Sequence, residues 1–307
     1  MAADDTLAGI LLLTDANNAP IDVSDLLDRA PLLAVLPAVK SSHGTSHKYM
    51  KETVASGVGF RAVNTGITNA APEETQVTVT LAFLDATVRR DIAVAKADPR
   101  GVDAYMAAQA EKSLRAAFAH AEKQILNGTG NEADGFNGLA DCTAVDDVGD
   151  TMIVDAGGSG GNNVYLIRAG VDDVCLVYND ENITMSEIYR TESNSGAYTK
   201  LVVDIDAYLG LQVGSIYSVA RIYNLDATAN HTLTDDLIST ALSKFPVGRE
   251  ATHIIMNRTC LKELQQSRTA TNPTGAPAPF PTESFGVPIV VTDQIDSTNT
   301  LATTTTT

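Results

Sequence analysis

Between residues 48 and 94, apolar and polar positions alternate with a period near two, the spacing of a half-buried strand. The clearest stretch places Val77, Val79, Leu81 and Phe83 on one face and Gln76, Thr78 and Thr80 on the other. Residues 53–63, weakened by Gly57 and Gly59, read as its antiparallel partner, and Asn64-Thr65-Gly66 with residues 69–74 forms a polar tip. Two strands alone are marginal in water, so this long hairpin needs a surface to lie on. The period then lengthens to three or four: Val102, Met106, Ala110, Leu114, Phe118, Ala121 and Ile125 form one apolar stripe, leaving Glu111, Lys112, Arg115, Glu122 and Lys123 in water. Asp98 as N-cap, Pro99 at the first helical position and Gly128 as a left-handed stop predict one helix over 98–127. At about 1.5 Å per residue such a helix is roughly 43 Å long, the proportions of a strut.

Residues 1–40 combine a short apolar stretch, Pro20, the helix-like Ser24-Asp25-Leu26-Leu27-Asp28-Arg29, and a segment between Pro31 and Pro37 carrying Leu32, Leu33, Val35 and Leu36. Proline at both ends of that segment opposes a continuous helix, so it reads as an extended arm needing apolar cover, such as a neighbouring chain. After the strut comes a glycine-rich turn, 128–138, then strands at 164–167, 174–178 and 201–205 separated by loops at 157–163 and 192–196. Helices follow at 234–245, stopped by Pro246, and at 258–268, capped by Asn257, with the short buried strand His253-Ile254-Ile255-Met256 between them. A proline-rich loop, 273–281, leads to a last strand at 287–292, and the chain ends in the threonine run 303–307.

With 44% hydrophobic and 19% charged residues in 307, the composition is globular, and its length is that of about two domains. A net charge of −17 opposes a surface that grips nucleic acid, because phosphate binding needs clustered Lys and Arg. Cys142, Cys175 and Cys260 are odd in number and widely spaced, which points to reduced structural thiols and not to a disulfide frame or zinc site. The apolar run 7–13 is too short to cross a bilayer and follows Asp4 and Asp5, so neither a membrane span nor a secretory signal is expected.

Chemistry is sparse. Gly128-Thr129-Gly130 with Gly135 and Gly138 follows a helix, whereas a phosphate cradle precedes one, so the run reads as a turn. His43 and His47 have helical ligand spacing, but serines and a glycine between them predict solvated loop residues. His120 reads as a surface or interface residue on the long helix, and residues 131–135 lack the acidic alternation of a calcium loop. Asp204 and Asp206 share a strand face by period two, where solvated edge positions are the plainer reading than an acid/base pair. With His231 they are the first suspects for a dispersed α/β enzyme site; no GxSxG, HExxH or kinase pattern appears. No catalytic residue, cofactor or metal is expected.

The order of arm, long hairpin, long helix, glycine-rich turn, α/β segment and returning strand resembles the major capsid proteins of tailed bacteriophages, which share the Hong Kong 97 phage fold. Local wording is similar too: Ile125-Leu126-Asn127-Gly128-Thr129-Gly130 through Gly138-Leu139, Val164-Tyr165-Leu166-Ile167-Arg168, Val174-Cys175-Leu176-Val177-Tyr178, Gly210-Leu211 with Val219-Ala220-Arg221-Ile222, Met256-Asn257-Arg258, and Phe285-Gly286-Val287-Pro288-Ile289 before Asp293-Gln294-Ile295. The resemblance implies an α+β, Hong Kong 97-like capsid fold with an N-terminal arm over 1–40 and an extended loop over 41–94. It further implies a peripheral domain over 95–135 and 283–301 with spine helix 98–127, an axial domain over 136–282 and a low-complexity tail over 302–307. As function it implies a non-enzymatic subunit that self-assembles as hexamers and pentamers into an icosahedral head enclosing double-stranded DNA without binding it specifically. Expected partners are further copies of itself, a separate scaffolding protein, a portal and decoration proteins, with assembly in the host cytoplasm and residence in the virion. A cellular nanocompartment shell of the same fold is the nearest alternative. Some relatives weld their shells through a lysine on the extended loop; residues 64–74 contain no lysine, so no such crosslink is expected here.

Overall fold

The computed structural model describes residues 27–54, 58, 60–66, 73–143, 152–179, 184–192, 199–226, 231–272 and 276–296. The first 26 residues and the threonine run lie outside this set. A 3₁₀ turn, Pro31–Ala34, leads to strand β1 (Ala38–Lys40). Leu32, Leu33 and Leu36 are buried in this chain's own main core, so the arm segment finds its apolar cover here and not on a neighbour.

Strands β2 (Ser46–Val54) and β3 (Glu73–Thr80) pair antiparallel from Ser46 opposite Thr80 outwards. The first strand therefore starts and ends earlier than 53–63, and residues 60–66 form turn and coil around Asn64, whose φ is +66°. β4 (Ala82–Asp85) follows after a single residue but pairs with a different strand. The alternation slips phase at Leu81, so Ala82 and Leu84 turn inward and Phe83, expected on the apolar face, is 53% exposed. β5 (Val88–Asp91) runs into a short helix α1 (Ile92–Ala97), capped by the Asp91 carboxylate on the Ala93 N–H.

The long helix α2 is Val102–Asn127, 26 residues, about 39 Å. It starts three residues later than its sequence signals predict, with Gly101 and not Asp98 as its N-cap. Asp98 precedes proline, which disfavours helical ψ; at ψ 126° it ends α1, and its carboxylate accepts from the Arg100 N–H at 2.9 Å. Gly101, at φ +96°, then turns the chain into α2. The far end is as expected, with Gly128 at φ +56° and its N–H on the Gln124 carbonyl.

The rest of the chain adds α3 (Leu139–Cys142) and the strands β6 (Ile153–Asp155), β7 (Asn162–Ile167), β8 (Val174–Tyr178), β9 (Thr184–Met185), β10 (Tyr189–Glu192), β11 (Thr199–Val203), β12 (Ile205–Val213) and β13 (Val219–Leu225). It closes with α4 (Asp235–Ser243), β14 (His253–Met256), α5 (Arg258–Ala270), β15 (Glu283–Ser284) and β16 (Val287–Val291). One sheet runs β1-β8-β12-β4 with β9 also on β12; another runs β15-β16-β14-β7-β13-β6; β10-β11-β5 makes a third. The hydroxyl of Thr234 and the amide of Asn257 cap α4 and α5.

The six-stranded sheet divides the interior in two. Tyr165, Ile167 and Ile255 face the main core, where Met106, Leu114, Phe118 and Ile125 of α2 pack with β8, β11 and β12. Their neighbours Val164, Leu166, Ile254 and Met256 face a second core closed by Ile238 and Ala241 of α4 and Cys260 and Leu264 of α5. Both faces of β7 are thus buried, which explains its unbroken apolar run. Arg221 is the charged side chain buried in this sheet among the described residues: it is 1% exposed, donates from Nε to Asn163 Oδ1 at 3.0 Å and lies 5.7 Å from the Tyr165 ring centroid.

Candidate assembly site

Three polar knots fix the base of the hairpin, the last turns of α2 and the turn that follows it. At the hairpin base, His47 is buried on β2 and its Nε2 lies 2.8 Å from Gln212 Oε1 of β12, while the Tyr49 hydroxyl donates to the Val213 carbonyl at 3.0 Å. His47 is therefore an anchor and not the solvated loop histidine of the sequence reading; His43 remains exposed, beside Ser42. Anchored at one end, the hairpin carries Val58, Phe60 and Val63 almost wholly exposed towards the other. Large apolar side chains left in water mark a contact surface when they cluster.

The second knot is the last turns of α2. Glu122, expected in water, is fully buried: its carboxylate accepts from the Leu32 N–H at 2.8 Å and from the Thr292 hydroxyl. Burial pushes its carboxyl up to about 7, against the pull of hydrogen bonds from Thr292 and from the backbone at Leu32 and Leu33. One turn on, Asn127 donates to the Gln294 carbonyl and accepts from the Asp296 N–H. The helix end is thus clasped by the arm on one side and the returning C-terminal segment on the other, which no stripe periodicity could signal.

The third knot is the turn after α2. Gln124 Nε2 donates to the carbonyls of Gly128 at 2.9 Å and Phe136 at 2.8 Å, and its Oε1 accepts from Asn131. The N–H groups of Thr129 and Gly138 converge on the Asp141 carboxylate at 2.8 and 3.0 Å. A protein carboxylate thus occupies the place a phosphate would take, and the turn reading holds. Glycine is needed at 138, where a Cβ would stand 2.5 Å from the Gln124 carbonyl oxygen and from the Gly128 nitrogen.

The suspected enzyme residues do not converge. β11 ends at Val203 and β12 begins at Ile205, so Asp204 sits in the break and the pair does not share one strand as expected. Asp204 accepts from the Tyr189 hydroxyl and Asp206 from Thr184, each at 2.7 Å, while His231 Nδ1 lies 3.0 Å from the Ala156 carbonyl. His120 pairs with Glu132 at 2.8 Å. The three cysteines are free, and among the described residues no group of three or more His, Cys, Asp or Glu could hold a metal ion. No described helix is long and apolar enough to cross a membrane.

Residues 15–302 match the family described as Major capsid protein GP7. The chain belongs to that family. This capsid protein is similar to a chain in the structure of bacteriophage Epsilon15, with a TM-score of 0.62 at 16% identity over 86% of this chain and 87% of that one. It is also similar to the capsid of bacteriophage JBD30, with a TM-score of 0.54 at 11% identity over 92% and 98% of the two chains. The JBD30 capsid decorated with minor capsid protein trimers gives 0.53 at 14% identity over 92% and 94%. No curated protein matches the sequence. At these identities the likeness speaks for fold, and it bears out the Hong Kong 97-like capsid fold expected from element order. A capsid protein belongs to the virion, and the family assignment bears out the bacteriophage reading as well.

Proposed function

We propose that this capsid protein closes with copies of itself, as hexamers and pentamers, into an icosahedral head around double-stranded DNA. The observation that carries this beyond family membership is the anchored hairpin with an apolar, water-exposed tip, which has the form of an arm for a neighbouring copy. In this reading residues 41–94 are the extended loop, 95–135 with 283–301 the peripheral domain around the spine helix, and 136–282 the axial domain at the capsomer centre. The subunit works by geometry and not by catalysis, and needs no cofactor. A net charge of −17 keeps packaged DNA from adhering to the wall, since like charges repel. A separate scaffolding protein and a portal complete assembly in the host cytoplasm, and decoration by minor capsid proteins, seen on the JBD30 capsid, is a further partner class. Family membership favours this reading over a nanocompartment shell. Negative-stain microscopy of the purified protein, alone and with its scaffold, should find closed isometric particles. A strictly monomeric protein by light scattering, with a protease-sensitive hairpin, would contradict the proposal.

A further inference from the structure

β5 ends its sheet: among the described residues it pairs with β11 on one side and with no strand on the other. Between β5 and α2 lies an open cleft of about 410 Å³. Arg89 and Arg90 line it from the strand, and Gln109, Lys112 and Ser113 from one face of the helix, where residues three and four apart are neighbours. No carboxylate lines it. Its walls are tied together, because the Ser113 hydroxyl donates to the Ala86 carbonyl at 2.6 Å and the Arg90 guanidinium to Gln109 Oε1 at 3.2 Å. Arg90 and Lys112 form no ion pair among the described residues, and Arg89 lies within electrostatic reach of Asp85 and Tyr189. A chain of net charge −17 thus gathers three cations at one strand edge.

An unpaired edge offers backbone N–H and C=O groups to any extended chain, and charged side chains keep unsuitable strands away. Arg89 and Arg90, side by side in a four-residue strand, repel a basic segment and favour one that carries carboxylates. We propose that this cleft binds a carboxylate-rich, extended segment of a second protein. The segment adds a strand along the free edge of β5 and sets its acidic side chains on Arg89, Arg90 and Lys112. Main-chain hydrogen bonds supply the affinity, and the three cations choose the partner. Four residues at about 3.3 Å each make the edge about 13 Å long, so it seats about four residues of the visitor. Nucleic acid fits worse on two counts. It has no peptide groups for the edge, and a long duplex must lie across a surface of net charge −17, whereas a short segment meets only the charges within about 10 Å.

Fluorescence anisotropy with the unassembled full-length protein tests the proposal. A labelled short peptide alternating glutamate with valine should bind saturably, and its counterpart with lysine for glutamate should bind about tenfold more weakly or worse. Arg90→Glu with Lys112→Glu should weaken the acidic peptide by about tenfold or more and reverse the preference between the two peptides. Both side chains are exposed, so Tm should stay within about 2 °C of wild type. Methylating alternate backbone nitrogens of the acidic peptide keeps its charge but removes its donors, and should also cost about tenfold. Equal binding of the two peptides, or an acidic peptide indifferent to the double variant, would overturn the site. An acidic peptide indifferent to methylation would overturn the added strand. A short DNA duplex that binds more tightly than the peptide, and is lost in the same variant, would overturn the choice of partner. So would a double variant that forms no particles where wild type, with no other protein present, forms them, since the cleft would then join copies of this chain.

Discussion

Replacing Glu122 by glutamine isolates the energetics of the clasp around the end of α2. The carboxyl is completely buried, and its proton is held up to about 7 from an ordinary 4.5 by burial, the largest influence on it. That difference corresponds to about 3 kcal/mol between the two protonation states. Because the folded protein binds this proton more tightly than the unfolded chain, the stabilisation is complete below about pH 4.5 and is lost as pH rises through about 7. Glutamine is nearly isosteric, keeps an oxygen for the Leu32 N–H, offers an N–H to the Thr292 oxygen and never ionises. Urea unfolding of the unassembled subunit at pH 5, 6, 7 and 8 should therefore give E122Q within about 1 kcal/mol of wild type at pH 5 and more stable by about 2–3 kcal/mol at pH 8. Other titrating groups, Glu263 included, are common to both chains and cancel in the difference. Parallel pH profiles, or a glutamine variant less stable than wild type at pH 8, would refute the reasoning.

Gly138→Ala places a methyl 2.5 Å from two backbone atoms and should cost about 2 kcal/mol or more, read as a lowered Tm and a reduced particle yield. Leu114→Pro, in the buried middle of α2, should cost about 3 kcal/mol or more and abolish assembly through loss of fold; normal shells from that variant would defeat the strut reading. Mature particles on a denaturing gel should run as single subunits, because residues 64–74 hold no lysine to weld. A covalent ladder would contradict this.

Features set by neighbours in the chain were legible; those set by distant segments were not. The cap at Asn257, the stop at Gly128 and the apolar run of β7 depend on residues within a few positions. The start of α2 was misplaced although its signals are local, because proline after Asp98 serves equally to begin a helix and to end the one before it. Glu122 sat on the wet side of the stripe because its partners are 90 and 170 residues away. His47 likewise depended on Gln212, 165 residues on, and Phe83 on the exchange of pairing partner at Leu81.

Arg221 has a consequence for how the central sheet finds its alignment. Where both faces of a strand are apolar, sliding β13 along β7 by two residues keeps every hydrocarbon side chain in hydrocarbon, so greasiness alone is indifferent to the offset. The guanidinium is not indifferent: it pairs across to Tyr165 and diagonally to Asn163, and a slide towards Ile167 would strand a cation among aliphatic side chains. A single polar pair thus acts as a key, spending some stability to admit one alignment of the sheet that divides the two cores.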